Sequence, residues 1–352
     1  MTRTAPAAQP GPASPSASPA VTVVVPCYES ARTLPATLDS LLAQTFTDLE
    51  VLVVDDGSVR EPVGEVPGDP RIVVDRRPEN GGYAAVTNHA VRRARGRWIT
   101  FVDADDIVEP TFVQQLLEAG ERHRADLVIC PLMAEREGRQ VGALRFDVEG
   151  QVVAPRLAYR SAVQGRLVLS QHVLLRMPVP DAVEGYTFND FVLVLEHLAR
   201  CRRVALVHEP LYRYQVHAAS TTGSLRPSVW ELRELPRLTA RSTAALFDPS
   251  TARIVQGELE QSVVTHMLHK AAREAEDSPL RRDVYRWCRE QLGARSPRRG
   301  LGAGSVVAAL RRRDLVTAAS WALALLSPRL HSRAYRVYDR RKDARAARGA
   351  DS

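Results

Sequence analysis

Arg97-Trp98-Ile99-Thr100-Phe101-Val102-Asp103-Ala104-Asp105-Asp106 is the stretch on which the fold turns. Its first six residues read as a strand of β-branched and aromatic side chains, of the kind buried in a sheet. The strand stops in three closely spaced carboxylates. Three negative charges at the mouth of a buried strand repel one another, a costly arrangement unless a cation sits among them. Aspartate oxygens are hard ligands suited to Mg²⁺ or Mn²⁺, ions that commonly bridge protein carboxylates to substrate phosphates. The alternative is a plain turn with a helix cap, because Asp is favoured ahead of the helix that Glu109-Pro110 starts. Capping, however, needs one Asp and not three.

Working outward, Val21 to Pro26 is another β-branched run and reads as a buried parallel strand. An amphipathic helix follows, with Leu34, Leu38, Leu41 and Leu42 on one face. Glu50 to Val54 is a second buried strand, ending in Asp55-Asp56-Gly57-Ser58. A Pro- and Gly-rich loop, Glu61 to Pro70, leads to a third short strand, Arg71 to Asp75. Asn80-Gly81-Gly82 opens a helix to about Arg95, and Asp126 to Pro131 is a fifth strand. This β-α-β-β-α-β-α-β order predicts an α/β fold, a mostly parallel sheet flanked by helices. Such sheets bind ligands beyond the carboxyl ends of their strands, where both acidic clusters fall. Asp55-Asp56-Gly57-Ser58 keeps two readings: a turn favoured by Asp and Gly, or a carboxylate accepting from a base N–H or a ribose hydroxyl.

The second half is less regular. Gly138 to Pro180 suits strands and loops closing over the sheet edge, Thr187 to Arg200 a helix, and Arg203 to Gln215 a strand-rich stretch. From about Pro227 the pattern is helical: Val229 to Leu246, Ala252 to Glu276, Leu280 to Leu292, and two basic segments after Gly304.

Composition bounds the class. A chain of 352 residues, 45% hydrophobic and 25% charged, has room for one large globular α/β domain and a smaller appendage. Residues 1–20, rich in Ala, Pro and Ser, lack the order of a signal peptide and read as a disordered leader. The longest apolar stretch, Leu315 to Leu326, is too short for a bilayer crossing of roughly 20 residues. Cys27, Cys130, Cys201 and Cys288 show neither metal-ligand spacing nor a disulfide framework, which suits a reducing cytoplasm. The net charge of +7 is unevenly spread: residues 281–350 hold 18 Lys and Arg against 5 Asp and Glu, leaving the body at −6. A basic tail of this kind meets an anionic surface or is simply a solvated helical face.

Five segments together resemble glycosyltransferase family 2 with the GT-A fold. They are Val23-Val24-Val25-Pro26-Cys27-Tyr28-Glu29, Leu41-Leu42-Ala43-Gln44-Thr45-Phe46, Val53-Val54-Asp55-Asp56-Gly57-Ser58, Asn80…Gly82…Asn88 and Gly96 to Asp106. No single piece is specific, but five in this order and spacing are. The resemblance runs from Val21 to about Leu117 and resumes over Glu184 to Ser220.

This resemblance implies an inverting transfer of a sugar from a nucleotide-diphosphate donor, by default a UDP-sugar. The acceptor it implies is a hydroxyl of a glycan, a cell-envelope polymer or a lipid-linked saccharide. On the family pattern Pro26, Tyr28 and Glu29 line the base, with Tyr28 against its face. Asp56 accepts from base or ribose, Asn80 belongs to the same nucleotide-sugar site, Asp103 contacts ribose or sugar, and Asp105 ligates Mn²⁺ or Mg²⁺. The family's base is an Asp at a helix N-terminus, usually within Glu-Asp. Here the pair is Asn189-Asp190, and Asp190 is expected to deprotonate the acceptor. Alternatively, Thr187 and Asp190 only cap the helix. His217 matches a family position that binds metal or diphosphate. Arg213 either neutralises diphosphate charge or pairs with a nearby acid.

Two departures matter. Val86-Thr87-Asn88 stands where the family often has Ala-Arg-Asn, and the Gln-x-x-Arg-Trp motif of processive synthases is absent. A rival reading, a non-catalytic GT-A-like binding or scaffold protein, predicts loss of Asp105 or Asp190, and both are present. A sugar nucleotidyltransferase needs a Gly-rich basic loop, which Pro26-Cys27-Tyr28-Glu29 does not supply.

The expected organisation is a leader at 1–20, a GT-A catalytic domain at 21–225 and a helical, basic region at 226–352. In that last region Leu315, Ala318, Ala322 and Leu325 form an apolar face flanked by arginines. It is expected to lie at an anionic membrane surface on the cytoplasmic side, to pack on the catalytic domain, or to form a dimer, with the first slightly favoured. No nucleic-acid partner is expected.

Overall fold

The β-branched run at the start forms β1 (Val21–Cys27), which is almost wholly buried and anchors the sheet. In the computed structural model of the chain, residues 18–348 are described apart from 145, 147, 170–171, 218–224 and 294–314. The expected leader therefore lies almost entirely outside the described residues. Beside β1 run β2 (Leu49–Asp55), β3 (Ile72–Arg76) and β4 (Trp98–Phe101), all parallel. Helices α1 (Leu34–Leu42) and α2 (Gly82–Arg93) make the crossovers.

After β4 come β5 (Ile107–Val108), α3 (Phe112–His123), β6 (Leu127–Ile129), β7 (Leu132–Arg136), β8 (Arg139–Leu144) and β9 (Val152–Val153). Then follow α4 (Pro155–Val163), β10 (Val173–Arg176), α5 (Asn189–Leu198), β11 (Val204–Leu206) and β12 (Tyr212–Gln215). The main sheet has eight strands in the order β3-β2-β1-β4-β10-β6-β11-β9. The predicted fifth strand, β6, does not pair with β4. β10 lies between them, antiparallel to both, and the Thr100 hydroxyl donates to Val173 O at 2.7 Å across the first of these pairs. Four residues, three of them buried, show no alternation, so β10 has no sequence signature of its own.

A second sheet, β5-β12-β7-β8, grows from the acidic turn. Tyr212 pairs with Val108 and Arg213 with Ile107, which brings β12 beside Asp103–Asp106. The helix before the turn holds it from below. The Thr37 hydroxyl donates to Asp106 O at 2.8 Å, and the Gln44 amide donates to Glu109 O at 2.8 Å while accepting Val113 N–H at 3.0 Å. The Gln44-Thr45 motif is thus a brace for the acidic loop.

Beyond a 3₁₀ helix (Pro227–Glu234) the chain is helical: α6 (Leu235–Leu238), α7 (Ala240–Leu246), α8 (Pro249–Arg273), α9 (Pro279–Gly293), α10 (Leu315–Leu326) and α11 (Pro328–Arg348). Asp248 caps α8 by accepting Ser250 N–H at 3.0 Å, and Pro249 sits where its missing N–H costs nothing. One hydrophobic cluster runs from Val24 and Ile99 through Val192 and Leu195 of α5 to Met267, Tyr285 and Trp321.

The inward face of α10 is Ala318, Trp321 and Ala324, and Trp321 Nε1 donates to Thr265 of α8 at 2.9 Å. Of the expected face through Leu315, Ala318, Ala322 and Leu325, Ala318 is buried and Leu325 packs against the same cluster, whereas Leu315 is 65% exposed. Trp321 decides the orientation, since truncating a buried Trp costs on the order of 3–5 kcal/mol. No described helix is long and apolar enough to cross a membrane.

Candidate functional site

The end of β4 carries Asp103, Asp105 and Asp106, whose oxygens lie within 4.8 Å of one another. Their environments differ. Asp106 is 1% exposed, and both its oxygens are engaged: one accepts the Tyr212 hydroxyl at 2.7 Å, the other Gln215 N–H at 2.8 Å. Burial nonetheless pushes its carboxyl up to about 7, with Asp105 adding to the rise. Tyr212 also accepts Asp103 N–H at 3.1 Å, so a single buried phenol ties two of the three aspartates together. Asp103 and Asp105 are half-buried, and His217 Nε2 lies 2.6 Å from Asp105 Oδ2. Two partly open carboxylates and an imidazole, backed by a third carboxylate, are a donor set that fits a hard divalent cation.

The ends of β1, β2 and β4 converge here. Cys27, which closes β1, is buried, and its thiol is pushed up to about 12, first by that burial and then by Asp55, Asp103 and Asp105. A thiol held in this way is no nucleophile.

On the β2 side, Asp56 is 2% exposed. It accepts Gly82 N–H at 2.8 Å and Gly81 N–H at 3.1 Å, and it pairs with Arg77. Asp55 accepts Ser58 N–H at 3.0 Å. Between these bonds Gly57 turns at φ +67°, and a Cβ there would lie 2.7 Å from the Glu79 carbonyl carbon, so only glycine fits. The Glu29 carboxylate accepts three backbone N–H groups, from Val59 at 3.0 Å, Arg60 at 3.1 Å and Glu61 at 2.7 Å. These bonds, Val59 first, hold it below the usual carboxylate range. Asp56 and Glu29, expected at the nucleotide, are thus turned to their own backbone. Tyr28 is 51% exposed, Asn80 is also open to solvent, and Pro26 is half-buried at the strand end.

Asp190 is half-buried in the first turn of α5 and stands apart from the carboxylate cluster. The cap residue of α5 is Phe188, with no side-chain capping bond of its own, and Asp190 lies in the first turn. Thr187 N–H donates to Glu231 of the 3₁₀ helix at 2.6 Å. Beside Asp190, Asn189 is 1% exposed, and neither of its side-chain polar atoms has a partner among the described residues. Arg213 pairs with Glu135 at 2.9 Å and Glu109 at 3.8 Å, the second of its two expected readings.

Sequence reasoning assigned no role to Tyr212, Arg77 or Glu231. Asn88, quoted only as part of a motif, bridges α2 to Ala182 and Glu184 through bonds of 2.7–3.1 Å. Strand-to-strand distance in sequence hides such partners. The one available signal was Tyr212 itself, an aromatic opening a strand otherwise polar at Arg213 and Gln215.

Residues 22–160 match the family model described as Glycosyl transferase family 2. That segment is what this chain shares with the family. Among curated relatives, the succinoglycan biosynthesis protein ExoO of Rhizobium meliloti is 31% identical over 226 residues, 59% of this chain and 64% of ExoO. EpsH of Bacillus subtilis, provisionally named a glycosyltransferase, is 28% identical over 234 residues, 61% of this chain and 66% of EpsH. The chain spans less than two thirds of the length of either relative. Among solved structures, residues 1–349 of S. aureus TarS, in complex with UDP-GlcNAc, superpose with a TM-score of 0.57 at 17% identity. That likeness covers 86% of this chain and 90% of the TarS chain, and it shows that this chain has the GT-A fold.

Proposed function

We propose that this chain transfers a sugar from a nucleotide-diphosphate donor to an acceptor hydroxyl, with inversion at the anomeric carbon. The observation that carries the reading is the Asp103, Asp105 and Asp106 trio at the end of β4, with His217 against Asp105. Asp105 and His217, with Asp103 alongside, would hold Mn²⁺ or Mg²⁺, which supplies charge stabilisation for the departing diphosphate. Asp106, held by Tyr212 and Gln215, fixes the loop that presents the other two.

Tyr28 offers an exposed aromatic face for the base, and Asn80 lies at the opening of α2 nearby in sequence. Asp56 and Glu29 act on the same site by fixing the backbone at 77–82 and 59–61. A UDP-sugar is the donor this reading adopts, because the TarS structure of the same fold holds UDP-GlcNAc. The acceptor is a saccharide hydroxyl of a glycan, a cell-envelope polymer or a lipid-linked chain, in keeping with the polysaccharide role for which ExoO is named.

In the transfer Asp190 takes the proton of the acceptor hydroxyl, and that oxygen forms its bond to the anomeric carbon. The bond from that carbon to the diphosphate oxygen breaks on the opposite face. One displacement completes the reaction, so no glycosyl-enzyme forms. Membrane contact through α10 is not part of this reading, because its Trp321 face packs on α8.

The test uses the purified full chain, a panel of nucleotide sugars and saccharide acceptors, and Mn²⁺ or Mg²⁺, scoring nucleoside diphosphate release. Metal-dependent release from one donor, lost in both Asp105→Ala and Asp190→Ala, is the expected result. Failure to bind any nucleotide sugar would overturn the proposal. Donor binding without release from any donor–acceptor pair would make the chain a non-catalytic binder.

A further inference from the structure

Two of the four tryptophans pack against the core at its rim and keep part of their rings open to solvent. Trp98 and Trp321 are each 1% exposed, whereas Trp230 on the 3₁₀ helix and Trp287 on α9 are only half-buried. Their rings meet edge to face, 6.2 Å apart at 87°. The Arg233 guanidinium lies over both, 4.9 Å from the Trp230 centroid and 6.0 Å from that of Trp287. With Asp283, Arg286 and Glu290 they line an open depression of about 430 Å³. That size is in the range of ligand sites, about 300–1,000 Å³. The catalytic residues proposed above do not line it.

From this geometry we infer that the depression is a saccharide-binding subsite for an acceptor of several sugar units. A pyranose presents apolar C–H faces and a rim of hydroxyls. Indole faces match the first, and planar guanidinium and carboxylate groups match the second as donors and acceptors. The charge balance narrows the ligand further. Two arginines face two acids, and Arg286 is already paired with Asp283 at 3.0 Å. A polyphosphate chain would be repelled by Asp283 and Glu290, and a purely apolar ligand would strip water from four charges. A neutral glycan does neither.

The subsite is wired to the proposed base. Glu231, the residue after Trp230, accepts the N–H of Thr187 at 2.6 Å, three residues before Asp190. The same short helix therefore carries one wall of the depression and a bond to the entry of α5. On this inference an acceptor of several sugar units, seated on the tryptophans, extends toward Asp190. The inference rests on the glycosyltransferase reading for its role as acceptor site, but the binding itself does not need turnover.

The experiment is a tryptophan-fluorescence titration of the full chain, without donor. The probes are hexasaccharides of β-1,4-glucan, β-1,3-glucan, α-1,4-glucan and β-1,4-linked N-acetylglucosamine, with glucose and N-acetylglucosamine as controls. A saturable change with at least one hexasaccharide is expected, and the single sugars should bind far more weakly. Trp287→Ala, and the milder Arg233→Gln and Glu290→Gln with unchanged thermal melts, should weaken that binding by about tenfold or more for the Trp. Donor hydrolysis without acceptor should stay at the wild-type rate in all three. No binding by any hexasaccharide, or binding indifferent to all three variants, overturns the inference. So does self-association in sedimentation that Trp287→Ala abolishes, which would make the patch a protein interface. Should a hexasaccharide bind through Trp287 while no nucleotide sugar is turned over, the subsite stands and the proposed reaction falls.

Discussion

Tyr212 donates its hydroxyl to Asp106 Oδ2 at 2.7 Å, and both groups are 1% exposed. The Tyr212 hydroxyl oxygen in turn accepts the backbone N–H of Asp103, so the phenol sets the spacing within the acidic loop. Tyr212→Phe removes one hydroxyl and leaves a buried carboxylate oxygen and a backbone N–H without partners. The expected loss is about 1–3 kcal/mol in stability. Mn²⁺ affinity should fall with it, although the phenol itself ligates nothing. Chemical denaturation and calorimetric Mn²⁺ titration with nucleoside diphosphate present check this; wild-type values in both would show that the hydrogen bond is dispensable.

His217 behaves differently. It and Asp105 are 42% and 34% exposed, and a polar contact so open to water contributes little to stability, about 0–1 kcal/mol. His217→Gln should therefore melt like the wild type. Groups that orient or complete a metal site are worth roughly 10–100-fold in affinity, and a loss in that range is expected for Mn²⁺. Electron paramagnetic resonance titration reads free Mn²⁺ directly. If Asp105→Asn loses the ion and His217→Gln keeps it, His217 is only a partner of the carboxylate.

Gly57, immediately after Asp55 and Asp56, turns at φ +67°, hard against the Glu79 backbone. Gly57→Ala combines an unfavourable backbone region with a contact that must push two segments apart. A destabilisation of about 1–3 kcal/mol is expected, together with weaker nucleotide-sugar binding, because Asp56 depends on the same turn. Unfolding midpoints and equilibrium dialysis with the donor test it, and an unchanged midpoint would show that the loop moves freely.

Stability should also depend on pH through His331. Burial holds this imidazole down to about 4, and Arg281 adds to the effect. Unfolded, it takes a proton near pH 6.5. Between those values the unfolded chain binds the extra proton, so the contribution of neutral His331 is complete above about pH 6.5 and is lost as pH falls toward 4. Its two nitrogens are bonded to Tyr285 at 2.6 Å and Ser320 at 2.8 Å, which joins α9, α10 and α11. Melts between pH 7.5 and 5 should show a steeper loss in the wild type than in His331→Gln, by on the order of 1–3 kcal/mol. Parallel slopes would remove His331 from the acid response.

The strands up to β4 and the acidic loop were legible because they rest on local signals: unbroken β-branched runs, and carboxylates packed too closely to be merely structural. β10 was not, since four buried residues carry no period. Nor were the partners of Glu29 and Asp56. Both look free in sequence, yet each meets backbone N–H groups more than twenty residues away. Of the α10 face, Ala318 and Leu325 were legible in the spacing, while Trp321, whose large buried surface dominates the contact, was not.

The recognised family segment ends at residue 160, while the hydrophobic cluster it shares takes in described residues as far as Ala324. Arg160, at that very limit, is clamped to Glu258 of α8 by two bonds of 2.7 and 2.9 Å. The portion that defines kinship is therefore not a module that can be cut out and grafted. Chimeras that exchange substrate preference between relatives must cross over within α8 and α9 as well, and a fragment trimmed at the family boundary should precipitate rather than act.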